Sequence, residues 1–308
     1  MDPGDRVSVE RGRQWARYLD GATEPPGLPR AVPGNGLRLL ALGDCWFNHF
    51  PAFDALVALR RNYGYAIDSV AVAGARLEEM AAPANWDPAQ PPAWSPDGRG
   101  RQLADLLRRM KSLSPAHRQT VRAVLISAGA NDLLAERAVL ASLLNPAAPG
   151  VPPLDEAALQ RKVDVELRQV LGQVLAAVTE LSRLHLGRVV PILIHGYAHP
   201  VPDGRGGGLA AWLQPVLRER GYTDMQAGTE IMARLVDRFN VMQLQLLAAN
   251  AVALAHVTHV DLRPTLSNAL ADDAYRASWQ NELTPGIAAG FTSVADKLEK
   301  ALQVLQPQ

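Results

Sequence analysis

The chain lacks several features that mark particular classes of protein. It contains one cysteine in 308 residues, so no disulfide can form within it. Its 31 Lys and Arg residues balance its 31 Asp and Glu residues. This neutral balance gives no electrostatic reason to expect a nucleic acid or an anionic membrane as a partner. We therefore expect neither of these partners.

Long apolar runs are also lacking. Residues 1–10 are charged and do not contain the apolar stretch of a secretory signal. The apolar segment 189–194 has the length of a strand and is far too short to cross a membrane. We expect a cytoplasmic protein, because a single reduced thiol persists in that compartment.

Short apolar runs alternate with stretches of helical spacing from residue 37 onwards. Continuous apolar runs are typical of parallel strands that are buried on both faces. The alternation predicts a doubly wound α/β protein with a three-layer α/β/α architecture and a five-stranded parallel sheet. The predicted strands are 37–42, 66–72, 123–127, 188–194 and 256–261, and the predicted helices are 52–61, 102–111, 132–143, 156–185, 224–250 and 287–305.

The chain reads as one domain, 37–308, after an N-terminal extension, 1–36, that contains one short helix at 9–19. Two segments interrupt the alternation. Residues 82–100 contain five prolines with Trp86 and Trp94, which indicates a loop packed on the body of the protein. The segment 200–208 is rich in Gly and Pro. The strand pattern resumes after each, so neither is predicted to be a domain linker.

Small and polar residues follow the predicted strands. In an open parallel sheet, ligands bind beyond the carboxyl ends of the strands. The segments at these ends are therefore the candidates for a functional site: Gly43-Asp44-Cys45, Ala73-Gly74-Ala75, Gly129-Ala130-Asn131-Asp132 and His195-Gly196-Tyr197-Ala198-His199.

Four segments resemble the sequence blocks of the SGNH (GDSL-type) hydrolases. Gly43-Asp44-Cys45 is similar to their Gly-Asp-Ser block, and Gly74 to the glycine of their second block. Gly129-Ala130-Asn131-Asp132 is similar to their Gly-x-Asn-Asp block, and residues 279–285 (Trp-Gln-Asn-Glu-Leu-Thr-Pro) resemble their last block. The blocks keep the family's order over residues 37–298. The resemblance implies the SGNH hydrolase fold and a small-molecule acyl substrate or ligand.

The resemblance also implies roles for individual residues. Acyl transfer needs a nucleophile, a base and donors for the developing oxyanion. Cys45 occupies the position of the family's nucleophilic serine. Its backbone N–H, that of Gly74 and the side-chain amide of Asn131 correspond to the oxyanion hole, and Asp44 corresponds to a buried structural carboxylate.

The last block departs from the family pattern. Thr284 stands where the family has its catalytic histidine, and Asn281 stands where the family has the acid. Neither side chain takes up a proton near neutral pH, so the ordinary serine-esterase mechanism is excluded. A thiol needs less activation than a hydroxyl, because its unperturbed pKa is about 8.5.

Other residues near the strand ends are candidates to complete the site. His199 is favoured over His49 as the base for Cys45, with Asn281 orienting the histidine. Candidate substrate-binding residues are His49, Asn48, Asp132, Tyr197 and Arg76.

Three functions remain open from the sequence. The first is a cysteine-dependent hydrolase or acyltransferase that acts on an ester, thioester or amide, and it is slightly favoured. The second is a ligand-binding pseudoenzyme without turnover. The third is a zinc or copper site, for which no standard motif is present; we predict no metal and no cofactor. The candidate ligands of such a site are Cys45, His49, His199 and Asp132. The sequence does not indicate the oligomeric state.

Overall fold

A computed structural model of the chain describes residues 2–22, 36–49, 53–83, 86–90, 97–206, 211–287 and 289–305. It contains a five-stranded sheet in which all neighbouring strands are parallel, in the order β2-β1-β3-β4-β5. This is the flavodoxin-like strand order. The strands are β1 (Arg38–Gly43), β2 (Ala66–Ser69), β3 (Val121–Ser127), β4 (Ile192–His195) and β5 (Val257–Val260).

Helices cover both faces of the sheet. The chain moves from β1 outward to β2 and then returns past β1 to β3, β4 and β5. Because parallel crossovers are right-handed, this change in the direction of progress across the sheet places the helix between β1 and β2 on the face opposite the later crossover helices. The helices are α1 (Pro3–Gly21), α2 (Ala55–Tyr63), α3 (Leu77–Met80), α4 (Gln102–Ser112), α5 (Pro115–Gln119), α6 (Arg137–Ser142), α7 (Glu156–Leu159), α8 (Arg168–Leu186), α9 (Leu213–Glu219), α10 (Met225–Ala249) and α11 (Ala289–Val304).

The layers follow from the helix contacts. The helices α2 and α11 pack together on one side, and α4 and α8 pack together on the other, where α8 also contacts α10. Short π-helical segments, Asn131–Ala135 and Gln160–Leu167, precede α6 and α8. The predicted three-layer architecture with five parallel strands is confirmed.

The core lies on the two faces of the sheet. All six residues of β1 and all four residues of β4 are buried, which explains their mainly apolar sequences. The charged exception, Arg38, forms a buried ion pair with Asp68. The predicted fourth strand began at residue 188, but β4 begins at Ile192. Pro191 lies just before it, and proline has no N–H to donate to a neighbouring strand.

The N-terminal helix is longer than the sequence predicted. It begins at Pro3, where the Asp2 carboxylate accepts a hydrogen bond from the N–H of Gly4 at 2.8 Å. Its buried side chains include Val9 and Trp15, and it packs along α8. The predicted extension therefore supplies a helix to the packed body.

The tryptophan-bearing loop is held by this helix. The Trp86 ring makes edge contacts with the rings of Trp15 and Tyr18, at centroid distances of 5.2 and 5.3 Å. The guanidinium of Arg11 lies 5.8 Å from the Trp86 ring centroid. The prediction that the loop packs on the body is met at Trp86, whereas Trp94 lies outside the described residues. No helix within the described ranges is long and apolar enough to span a membrane.

Candidate functional site

The site begins at the carboxyl end of β1. The side-chain amide of Gln102 brackets Gly43: it accepts from the glycine N–H at 2.7 Å and donates to the glycine carbonyl at 3.1 Å. The next N–H, of Asp44, donates to the carbonyl of Ser127 at 2.9 Å, at the end of β3. These bonds fix the turn that carries Cys45, a half-buried free thiol.

The Asp44 carboxylate lies beneath this turn and is completely buried. Its Oδ1 accepts from the Ser127 hydroxyl at 2.7 Å and from the N–H of Trp46 at 3.0 Å. Its Oδ2 accepts from the Tyr197 hydroxyl at 2.5 Å. Burial raises the pKa of Asp44 to about 6, and the hydrogen bonds oppose that shift. Asp44 is thus a structural carboxylate, as the resemblance implied.

A cavity of about 580 Å³ opens above Cys45. This volume is in the range of small-molecule sites. Seven of the eleven predicted site residues line it: Cys45, His49, Gly74, Arg76, Asn131, Asn281 and Thr284. The sequence blocks therefore converge at one place, although they are up to 239 positions apart in the chain.

The predicted oxyanion donors lie in this cavity. Gly74 has a φ of 74°, a left-handed conformation that favours glycine, and it lies in the turn after β2. No acceptor among the described residues takes up its N–H. The Asn131 amide donates one hydrogen to the carbonyl of Ala75 at 2.9 Å. Because an amide carries two hydrogens, the second is available to a ligand.

The last block is a tightly bonded turn. The Asn281 Oδ1 accepts from the N–H groups of Leu283 and Thr284, each at 2.9 Å. The Leu283 carbonyl accepts from the Trp46 indole at 3.1 Å, which ties this turn to the one that carries Cys45. Asn281 thus uses its oxygen on its own backbone, and the predicted role of orienting a histidine is not formed.

Glu282 anchors the same turn from inside the protein. It is completely buried, and its carboxylate accepts four backbone N–H bonds of 2.7 to 3.0 Å. The donors belong to Gly204, Trp212, Leu213 and Gln214. Glu282 therefore caps α9 and positions Trp212 on the cavity wall.

The two candidate histidines have different positions. His49 lines the cavity, its Nε2 lies 3.1 Å from the Gln280 Oε1, and burial lowers its pKa. His199 is not among the lining residues; its Nε2 lies 3.0 Å from the Asp237 Oδ1 on α10. The expectation that His199 serves as the base for Cys45 is not met, because an acid outside the cavity binds its ring.

The thiol itself is not activated in this setting. Burial raises the pKa of Cys45, and the neighbouring Asp44 carboxylate raises it further. Both effects disfavour the thiolate, which is the nucleophilic form. A reactive cysteine is typically activated by a nearby positive charge, whereas the charge that acts on Cys45 is the Asp44 carboxylate.

Three predicted substrate-binding residues have structural roles instead. The Tyr197 ring is buried beneath the site, where its hydroxyl binds Asp44. The Asn48 amide donates to the carbonyl of Ala71 at 2.8 Å. The buried Asp132 carboxylate accepts from the N–H groups of Leu77 and Glu78 at 2.7 and 3.2 Å, and burial raises its pKa to about 6. None of the three lines the cavity.

Arg76 does line the cavity, but two acidic neighbours compensate its charge. Its guanidinium lies 2.6 Å from Glu78 and 3.5 Å from Glu79. The proposed metal site is not formed: within the part of the chain that the structure describes, no group of three or more His, Cys, Asp or Glu side chains is arranged to hold a metal ion. Cys45, His49, His199 and Asp132 all lie in that part.

The sequence analysis missed several lining residues. Arg99 and Trp212 belong to long loops between predicted elements, and Glu136 follows the Asn-Asp block. None of these three residues immediately follows a predicted strand, so the strand-end pattern does not indicate them. The remaining lining residues that were not predicted are Ala73, Glu79, Ala135 and Leu283.

Neither protein-family models nor curated protein sequences give a match to this chain. Among solved structures, it is similar to an inhibitor-bound aryl esterase of M. smegmatis, with 12% identity and a TM-score of 0.45 over 85% of this chain and 98% of that one. It is also similar to phospholipase A1 of Streptomyces albidoflavus, with 13% identity and a TM-score of 0.42 over 88% and 99%. A third similar structure is a GDSL-like lipase of Bacteroides thetaiotaomicron, with 10% identity and a TM-score of 0.38 over 96% of this chain and 98% of that one.

The strand order of the sheet and the position of the blocks define the class. The β2-β1-β3-β4-β5 sheet carries the Gly-Asp-Cys, Gly74 and Gly-x-Asn-Asp blocks at its carboxyl edge, and the last block closes over the same cavity. The chain has the three-layer α/β/α fold that its resemblance to the SGNH hydrolases implies. It carries Cys45 and Thr284 where the sequence resemblance implies serine and histidine.

Proposed function

We propose that this protein binds a small acyl ligand in the cavity above Cys45 without turning it over. The observation that carries the proposal is that the last block contains no side chain able to act as a base. Thr284 and Asn281 occupy the last block, and neither takes up a proton near neutral pH. The donors that hold a carbonyl or carboxylate oxygen remain in the cavity wall.

The surroundings of Cys45 support the same conclusion. The neighbouring Asp44 carboxylate raises the pKa of its thiol and so opposes thiolate formation. The one acid–histidine pair near the end of β4, Asp237 with His199, is not part of the cavity wall. A cavity with oxyanion donors and without an activated nucleophile suits binding better than acyl transfer.

The test is whether the protein turns over acyl substrates through Cys45. Purified protein is incubated with p-nitrophenyl esters of acetate, butyrate and hexanoate and with a hexanoyl thioester, and Cys45→Ala is assayed in parallel. We expect no release above the rate of the Cys45→Ala protein. Release that depends on Cys45 would overturn the proposal, and single-turnover acylation of Cys45 seen by mass spectrometry would do the same.

One observation favours a second function, a cysteine-dependent hydrolase. His49 lines the same cavity as Cys45, and burial lowers its pKa, so its ring is neutral and able to accept a proton. In that case Cys45→Ala and His49→Ala would each abolish ester release, whereas His199→Ala would retain it. The Gln280→Ala change, which frees the His49 ring, would then alter the rate as well.

A further inference from the structure

The cavity wall contains hydrogen-bond donors that no described residue accepts from. The N–H of Gly74 and the second amide hydrogen of Asn131 have no acceptor among the described residues. The Asn281 Nδ2 also makes no hydrogen bond within these residues, because only its Oδ1 is used. Three uncommitted donors thus face a volume of about 580 Å³.

Arg99 adds a positive charge to this donor set. A Cβ atom built on Gly74 would lie 3.2 Å from the Arg99 Nη2 and 3.6 Å from its Cζ, so the guanidinium lies against the glycine. Arg99 contacts Asp97 only through its backbone N–H and its Nε, which lies 3.5 Å from the Asp97 Oδ2. Its two terminal nitrogens have no acceptor among the described residues.

Arg76, the other cation of the cavity, differs from Arg99 because its terminal nitrogens are already paired with acids. Arg76 lies between two glutamates, and Glu79 also accepts a bond from the Arg76 backbone N–H at 2.7 Å. The charges of Arg76 and Glu79 therefore cancel within the wall. Glu136 is exposed at the rim. Arg99 also has an acidic neighbour, Asp97, but that contact uses its Nε, so its two terminal nitrogens stay available beside Gly74.

The rest of the wall is apolar. Trp212 and Leu283 supply the large apolar surfaces, and Ala73 and Ala135 leave room beside them. A ligand that matches both the donor groups and the apolar wall has an anionic head with several acceptor lone pairs and a short apolar tail. A carboxylate has two oxygens and four lone-pair directions, which suits a guanidinium together with two or three N–H donors.

We propose that the ligand is a free monocarboxylic acid with a short apolar tail and that Arg99 selects the acid over its neutral ester or amide. This inference rests on the proposed binding function. The carboxylate lies against the Gly74 N–H, the Asn131 amide and the Arg99 guanidinium. The tail lies against Trp212 and Leu283. An ester would give the terminal nitrogens of Arg99 no anionic acceptor and would place an additional alkyl group against them.

The experiment compares acids with isosteric neutral amides. Binding of hexanoate, hexanamide, benzoate and benzamide is measured by calorimetry and by saturation-transfer NMR, with inorganic phosphate as a tail-less anion. The proteins are the wild type, Arg99→Gln, Arg99→Lys and the matched control Arg101→Gln. Arg101 lies in the same short helical turn, but it pairs with Asp105 at 3.0 Å and does not line the cavity.

We expect each acid to bind at least tenfold more tightly than its amide, and Arg99→Gln to reduce this ratio about tenfold, the difference that charge-assisted hydrogen bonds typically make. Arg99→Lys should retain part of the ratio, because lysine keeps the positive charge but lacks the paired N–H donors with which a guanidinium binds both carboxylate oxygens. Arg101→Gln should leave the ratio unchanged.

Equal binding of acid and amide by the wild type would overturn the inference and leave the proposed binding function intact. An unchanged ratio in Arg99→Gln would overturn the role of Arg99. Phosphate that binds as tightly as hexanoate would overturn the apolar-tail requirement. Cys45-dependent hydrolysis of the esters would instead overturn the proposed function, so the two failures are distinguishable.

Discussion

The Nε2 of His199 lies 3.0 Å from the Oδ1 of Asp237, and the same oxygen lies 3.0 Å from the Nη1 of Arg263. The imidazole therefore belongs to a charged cluster that joins the loop after β4 to α10 and to the segment after β5. This relationship separates the histidine from the cavity and leaves Cys45 without the partner that the sequence favoured.

Alkylation of Cys45 by iodoacetamide should report this separation. We expect a slow reaction whose thiolate titrates above the usual value of about 8.5, because burial and Asp44 raise the pKa of the thiol. His199→Ala should give the same pH profile as the wild type. The rate is followed by intact-mass spectrometry from pH 6 to pH 10, with His117→Ala as the control for loss of a histidine outside the cavity.

A thiolate that titrates below 8 would contradict this expectation. If the low titration disappeared in His49→Ala, the Cys45–His49 hydrolase would become the better assignment. If it disappeared in His199→Ala, the pairing of His199 with Asp237 would not describe the protein in solution.

The fold was predictable because it depends on patterns that are local in sequence. Mainly apolar runs such as those of β1 and β3 indicate strands buried on both faces, and small residues after them indicate a site at the carboxyl edge. All five strands and the convergence of Gly74 and Asn131 on Cys45 follow from these patterns. The last block was found by its resemblance to a family.

The direction of individual side chains was not predictable. Tyr197 and His199 stand two positions apart in one loop, yet one is buried beneath the site and the other binds an acid on α10. Which way each points depends on Asp44 and Asp237, which are remote in the sequence. Arg99 was missed for a related reason: a Pro-rich segment of irregular structure brings it to Gly74, and no periodic pattern marks such a segment.

Tyr197→Phe tests the buried acid beneath the site. It removes the hydroxyl that donates to the Asp44 Oδ2, so a buried carboxylate oxygen loses one donor. We expect the free energy of unfolding to fall by about 1–3 kcal/mol at pH 8, measured by urea denaturation. Tyr222→Phe is the control, because its hydroxyl donates to the neutral carbonyl of Asn145 at 3.0 Å and should cost about 0.5–1.5 kcal/mol.

The pH dependence of this variant has a definite sign. Burial raises the pKa of Asp44 in the folded state from 3.8 to about 6, so the folded protein holds this proton more tightly than the unfolded chain. The contribution of Asp44 to stability is therefore greatest below pH 3.8 and is lost as the pH rises through about 6. Removing a donor to the charged form raises this pKa further. The cost of Tyr197→Phe should thus be smaller at pH 5 than at pH 8; a cost independent of pH would contradict the assignment.

Glu282→Gln tests the carboxylate that positions the cavity wall. An amide keeps one acceptor oxygen, but its NH₂ group would face N–H donors of the α9 terminus. We expect a loss of about 2–4 kcal/mol in the free energy of unfolding and weaker benzoate binding, because Trp212 loses its anchor. Glu219→Gln, which removes an exposed partner of Arg137, should cost less than about 1 kcal/mol. Similar costs for the two variants would contradict the capping role.

Gly12→Ala tests whether the N-terminal helix is part of the packed body. A Cβ atom on Gly12 would lie 2.1 Å from the carbonyl oxygen of Gln173 on α8, and backbone atoms cannot give way as a flexible side chain can. Helix propensity alone would favour alanine by about 1 kcal/mol. The overlap must separate α1 from α8, so we expect a net loss of about 1–3 kcal/mol in the free energy of unfolding, as in other overpacked contacts.

Gly21→Ala supplies the matched control for this prediction. Gly21 is the last residue of the same helix, and a Cβ there would meet no atom within 4 Å. It should therefore be neutral or slightly stabilising in the same urea titration, followed by tryptophan fluorescence because Trp15 and Trp86 pack together near the helix. If Gly12→Ala matched Gly21→Ala in stability, α1 would not cross α8 at Gly12. If the predicted loss is found, the N-terminal segment contributes to the stability of the fold and, through Trp86, supports the loop that brings Arg99 to the cavity.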